Sequence, residues 1–131
     1  MSDAEQIISE IRRHYGSDYT PKGRLTLREE RLFLYTGSDS NLENIWCGLH
    51  IANKDLTLTI EGAQIIGPTA SKNILDIPIF DTLKYFRGED ITCGGAPDGP
   101  VIIRSEGTFI GGGICSGNHI SNAVPISRRI K

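Results

Sequence analysis

The sequence is poor in cysteine, and the three it has, Cys47, Cys93 and Cys115, stand far apart among its 131 residues. An odd number cannot all pair. Neither the tight spacing of a disulfide scaffold nor a C-x-x-C zinc pair is present, so the pattern points to a reducing compartment, with the cytoplasm as the expected location. No apolar run approaches the ~20 residues that cross a bilayer. The N-terminal Met-Ser-Asp-Ala-Glu is acidic where a signal peptide would be basic and then apolar, so neither secretion nor a membrane partner is expected. An excess of positive charge is missing too: Lys+Arg 14 against Asp+Glu 16 leaves a formal net charge of −2. That balance excludes strong, indiscriminate nucleic-acid binding, which draws its affinity from many contacts to phosphate, and DNA is not an expected partner. Internal repeats and low-complexity tracts are absent.

What is present is the composition of an ordinary globular protein, 38% hydrophobic and 23% charged. The length predicts one domain able to bury roughly two thirds of its extended surface without staples. Charge is unevenly spread. Acidic residues stop at Glu106, so Arg128, Arg129 and Lys131 form a locally cationic tail.

Periodicity organises the chain. Ile7, Ile8 and Ile11 share one face of an amphipathic helix over 3–15, with Ser2 or Asp3 as N-cap and Gly16 as stop. Arg24-Leu-Thr-Leu-Arg28 and Arg31-Leu-Phe-Leu-Tyr35 alternate as two strands of a hairpin around Glu29-Glu30. Residues 45–52 read as an extended, mostly buried segment, and Leu56-Thr-Leu-Thr-Ile60 alternates as a half-buried strand should. Residues 62–77 fit either a helical turn or a strand, with a break at Gly67-Pro68. A helix is expected over 79–87, its apolar side supplied by Phe80, Leu83, Tyr85 and Phe86, with Gly88 as a left-handed cap. A three-stranded meander follows over 101–104, 108–115 and 119–124. Strands dominate without strand–helix alternation, so the fold class is α+β on a mostly antiparallel sheet or small barrel with two flanking helices.

Catalytic readings find little purchase. Gly111-Gly112-Gly113 is followed by more strand instead of the helix that a phosphate loop opens, which marks a bend or a close approach by another backbone. Lacking side chains, such a strand also offers a surface on which a polynucleotide could lie. Gly62 and Gly67 have Walker A spacing, but Pro68-Thr69 stands where the lysine and hydroxyl belong. Cys47, His50, Cys93, Cys115 and His119 have no metal-ligand spacing, so no metal site is expected. Cys93 follows Thr92 in the manner of a cytosine-methylation nucleophile, yet has no second catalytic-type cysteine near a strand end and no cofactor turn, and reads as a loop cysteine. Glu89 and Asp90 are adjacent, as in a solvated turn. Neither catalytic residues nor a cofactor are expected.

Tyr85-Phe86-Arg87-Gly88-Glu89, Val101-Ile-Ile-Arg104, Phe109-Ile-Gly-Gly-Gly113, Ser116-Gly117-Asn118 and Asn122-Ala-Val-Pro125 through Arg128-Arg129 form an ordered set. Taken together they resemble the PUA-like RNA-binding domain that follows the catalytic domain in RsmF-type ribosomal RNA 5-methylcytosine methyltransferases. The resemblance covers most of the chain and is specific over its last part. It implies one PUA-like domain over 1–131, with a helix and strands over 1–75 and a PUA-like core over 76–131. Two family cations are absent here, Ser121-Asn122 replacing Lys-Asn and Pro125-Ile126 replacing Pro-Lys, which implies weaker binding. The family's methyltransferase domain is not in this sequence, so the resemblance implies a free-standing binder of structured ribosomal or transfer RNA, not an enzyme. Arg87, Arg104, Arg128 and Arg129 would meet phosphates, and Ser116, Gly117, Asn118 and Asn122 would supply polar contacts at the glycine turn. Its rival is a protein-interaction subunit whose strand edges or N-terminal helix dock an RNA methyltransferase acting in trans, or a ribosomal protein.

Overall fold

The protein is seen in a computed structural model that describes residues 2–35, 48–89, 91–94 and 96–122. Helix α1 (Asp3–Tyr15) starts where expected: the Ser2 hydroxyl accepts from the Glu5 backbone N–H, and Gly16 closes it at φ 59°. Ala4, Ile7, Ile8, Ile11 and Tyr15 are all buried, a stripe at helical spacing laid against a three-stranded sheet. That sheet runs β1 (Arg24–Arg28), β2 (Arg31–Tyr35), β3 (Leu49–Asn53), antiparallel throughout. Leu25, Leu27, Leu32 and Leu34 point into the core with α1. The β1–β2 turn places Glu29 and Glu30 at φ 50° and 66°, the mirror-image turn that matches strand twist. Of the extended segment expected over 45–52, residues 45–47 lie outside the described residues.

The strand expected over 56–60 does not form. Leu56 takes φ 74°, Asp55 accepts from the Thr57 N–H in a side-chain turn, and only Ala52 and Leu58 bridge. Thr59 instead caps α2 (Ile60–Ile66), its hydroxyl accepting from the Gly62 N–H at 3.0 Å. Alternation was outweighed by a good N-cap. The ambiguous stretch therefore resolves as α2, a single tight turn over Gly67–Thr69, and β4 (Ile74–Asp76). Helix α3 (Ile79–Phe86) follows, with Gly88 at positive φ just beyond its end. Its apolar side is not all buried: Tyr85 is, but Ile79, Phe80 and Leu83 are 65%, 70% and 51% exposed. The described residues thus hold three α-helices where two were expected.

The meander is present as β6 (Gly99–Ser105), β7 (Thr108–Ser116) and β8 (His119–Asn122), residues 123 and 124 of its last expected strand lying outside the described residues. It sits in a five-stranded sheet of order β4-β6-β7-β8-β5, where β5 (Ile91–Thr92) pairs with β8 and β4 runs parallel to β6. Among the described residues the sheet curls into half a barrel, the coarser form of the small barrel expected. Its middle is covered on both faces. Ile102 belongs to the cluster of α1, α2 and the first sheet, while Val101 and Ile103 belong to a second cluster with Tyr85, Ile91 and Ile120.

Two of the three glycines explain how two layers fit so closely. A Cβ on Gly112 would collide with the Leu58 carbonyl, and one on Gly111 with the Tyr85 hydroxyl, which donates to the Gly112 carbonyl at 2.8 Å. The close-approach reading holds at Gly111 and Gly112. The second reading, a polynucleotide lying on this strand, does not, because Gly111, Gly112 and Gly113 are all buried. Cysteine pairing also differs from expectation: Cys93, just after β5, and Cys115, on β7, form a buried disulfide across 22 residues of sequence. The β5–β8–β7 ladder brings them together, so their scatter along the chain is no argument for a reducing compartment.

Two stability measurements check this packing. Gly112→Ala should cost about 1–3 kcal/mol, the penalty for overpacking a contact that backbone on the other side cannot yield, read as a lower denaturation midpoint. Replacing Cys93 and Cys115 together by alanine should cost about 2–4 kcal/mol, and reductant should then no longer shift the midpoint as it does in the wild type.

Candidate nucleic-acid interface

The site residues expected from sequence fall into two groups that the sheet holds apart. Arg104 sits on β6 beside the turn to β7, directly opposite Asp76 on parallel β4. Its guanidinium grips that carboxylate bidentately, Nε to Oδ1 at 2.6 Å and the second nitrogen to Oδ2 at 2.8 Å, and lies 5.7 Å from the Phe109 ring centre. The hydrogen bond and the charge of Arg104 hold the Asp76 carboxyl below its ordinary range, and Asp76 raises the guanidinium in return. Ser116, Gly117 and Asn118 lie at the far end of the same strands, since Cys115 pairs with Gly99 and not with Arg104. Five residues of strand separate the two ends, about 17 Å at ~3.4 Å per residue. Gly117 and Asn118 form a tight turn with φ 57° and 69°, where the Gly117 N–H donates to Asp98 at 3.3 Å and the Asn118 carbonyl accepts from the Cys93 N–H. Ser116 is exposed beside them, and the Asn122 backbone pairs with Gly113.

Arg87 occupies the C-cap of α3 and lies 3.9 Å from Glu89. Both cations expected to meet phosphate within the described residues are therefore already opposite a carboxylate. Arg128 and Arg129 lie outside the described residues, so the expected face joining them to Arg104 is not on view.

Sequence reasoning missed a different surface. On the solvent side of the β1–β2–β3 sheet, Arg24, Thr26 and Arg28 stand opposite Tyr35, Phe33 and Arg31. Arg24 lies 6.0 Å from the centre of Tyr35 and Arg28 lies 5.3 Å from that of Phe33. Across β2, His50 continues the row, its ring 5.3 Å from Phe33 and its Nε2 donating to Asn53 at 2.8 Å. Tyr35 covers Gly48, where a Cβ would collide with the ring. The signal was legible as alternation: the residues between the leucines of both strands are arginine, threonine and aromatics. That alternation predicts the hairpin, and its outer face follows once the leucines are placed inward.

Other clusters are structural. His14, at an open cleft of about 520 Å³ with Arg13, Lys54 and Lys72, donates from Nε2 to the Pro100 carbonyl at 2.7 Å. Burial pushes both Tyr15 and Tyr85 hydroxyls up, each donating to a backbone carbonyl. Among the described residues no three His, Cys, Asp or Glu side chains gather as a metal would need, and no helix is long and apolar enough to cross a membrane.

No family profile matches the chain. It is similar to ribosomal RNA small subunit methyltransferase F of Aeromonas hydrophila subsp. hydrophila, 29% identical across 94% of this chain. The chain spans 27% of that protein's length, the extent of a module within it.

The Asp76–Arg104 pair sets a measurable pH dependence. Because the Asp76 carboxyl is held below its ordinary value of 3.8, its contribution is present above that pH and is lost as pH falls through the lowered value. Asp76→Asn should therefore cost less than about 1 kcal/mol near neutrality, the scale of an exposed pair, and the gap between variant and wild type should close as unfolding is measured below pH 4.

Proposed function

We propose that this chain is a non-catalytic RNA-binding module of PUA-like type, acting on ribosomal or transfer RNA in RNA modification or ribosome biogenesis. The observation that carries the reading is its similarity over 94% of its length to about a quarter of a ribosomal RNA methyltransferase. A stretch of this length shared with a longer RNA-directed enzyme is the size of a binding domain. The fate of Cys93 supports binding over catalysis: a methylating cysteine must act as an accessible thiolate, and this sulfur is buried and bonded to Cys115. Arg87, Arg104, Arg128 and Arg129 serve as phosphate contacts in this reading, the first two by exchanging a carboxylate for a phosphate.

One observation favours a second reading, a protein-interaction subunit that docks an RNA methyltransferase in trans or a ribosomal protein. Ile79, Phe80 and Leu83 form an exposed apolar patch on α3. The apolar face of the N-terminal helix is in the core, so docking through that helix would use its polar face.

Salt dependence divides the two. RNA affinity measured from low to moderate salt should fall linearly on log–log axes, and Arg128→Ala with Arg129→Ala should flatten the slope by about 1.4–1.8 units, at ~0.7 to ~0.9 per phosphate. The double variant should weaken different RNA sequences about equally, as phosphate contacts do. Wild-type protein that binds no RNA at low ionic strength would transfer the case to the protein-interaction reading, and S-adenosylmethionine retained stoichiometrically through purification would overturn the non-catalytic one.

A further inference from the structure

We propose that the outer face of the β1–β2–β3 sheet is a binding site for single-stranded RNA, where unpaired bases stack on Phe33, Tyr35 and His50 while Arg24, Arg28 and Arg31 hold the phosphates. The inference rests on the RNA-binding reading above and names a site and ligand class within it.

Three observations converge. The first is composition by face: between the buried leucines, the outward positions of β1 and β2 carry Arg24, Arg28, Arg31, Phe33 and Tyr35, which combine the π-faces and cations that sequence-tolerant strand binding uses. The second is the grouping of cations by register: Arg28 stands directly opposite Arg31, which sets two guanidinium groups at one end of the face. The third is alignment. His50 and Phe33 share one row across the sheet with rings 5.3 Å apart, Arg28 reaches diagonally over Phe33 at 5.3 Å, and Tyr35 with Arg24 forms the next row.

The spacing of those rows selects the ligand. Phe33 and Tyr35 are two residues apart on one strand, so the rows lie about 7 Å apart at ~3.4 Å per residue. Stacked bases in a duplex strand are only ~3.4 Å apart, and their faces are covered by neighbours. Bases can occupy both rows only when unstacked from each other, as in loops, bulges and single strands, where aromatic rings and guanidinium planes both serve as platforms. The Glu29–Glu30 turn closes one end of the face with negative charge, beside Arg28 and Arg31, and leaves Arg24 at the other end as the cation farthest from those carboxylates.

The test uses the full chain and a labelled, unstructured oligoribonucleotide of about eight nucleotides, within the usual strand site size, alone and annealed to its complement. Phe33→Leu should weaken binding of the single strand about 10-fold, the scale of one lost base stack, and leave duplex binding unchanged. Phe33→Tyr, which keeps the ring, should restore affinity to within about 2-fold of wild type, which separates stacking from any effect on folding. Arg24→Gln with Arg31→Gln should flatten the salt slope for the strand by about 1.4 units. Equal strand affinity for wild type and Phe33→Leu would overturn the proposal while leaving the RNA-binding module intact. Failure of the wild type to bind either RNA would overturn both. A polyglutamate peptide competing as well as the strand does would overturn it in favour of an acidic protein partner.

Discussion

The close approach of the Leu58 backbone and the Tyr85 hydroxyl to the bare strand at Gly111 and Gly112 holds the two halves of the molecule in register. With side chains at either position the segment leading into α2 could not settle on β7, and the two hydrophobic clusters would be pushed apart. Because they meet there, β6 is buried on both faces and works as a central strand although its sheet is short on one side. Gly62 repeats the device one layer out, where a Cβ would run into the Ile51 carbonyl. The arrangement has a functional consequence. The glycine strand that would offer a polynucleotide a bare surface is buried at Gly111, Gly112 and Gly113, so a nucleic acid would be met elsewhere on the protein.

Elements held by local rules could be read from sequence, and those held by distant partners could not. Helix α1, both strands of the first hairpin and the meander rest on periodicity, caps and two-residue turns that lie within a few positions of each other. Strand β4 has only Ile74, Leu75 and Asp76, and it exists because β6 offers it a parallel edge. The segment over 56–60 shows the competition openly, since its alternation favoured a strand while Asp55 and Thr59 offered backbone hydrogen bonds that a strand would forgo. On α3 composition was misleading in another way: the apolar residues cover more of the helix than the core can face, and the sequence does not say which side turns inward.

The same distinction governs the sites. That Arg87 and Arg104 are cations is plain from sequence, but their carboxylates are a matter of fold: Asp76 reaches Arg104 from 28 residues away through a strand that periodicity did not reveal. Cys93 and Cys115 meet for a similar reason, through a ladder of three strands. The arginine–aromatic face was closer to hand, since the alternation and the turn already set its register, and it needed only the step from which residues face inward to which face outward.

A chain of net charge −2 is a poor candidate for binding RNA by attraction alone. Charges beyond a Debye length of ~8 Å at physiological ionic strength hardly count, so what a strand meets is the local field. On the β1–β2–β3 face that field comes from Arg24 and Arg28, held over rings, and from Arg31 opposite Arg28, with the carboxylates of Glu29 and Glu30 in the turn between the last two. At the other sites, Arg104 and Arg87 carry their own counter-charges, so a phosphate gains there only by displacing Asp76 or Glu89. Phosphate attraction on such a protein is thus modest wherever it occurs, and affinity has to come from contacts that salt does not screen. Aromatic stacking supplies such contacts, and under the proposed reading it would let a weakly acidic module hold RNA without holding every polyanion it meets.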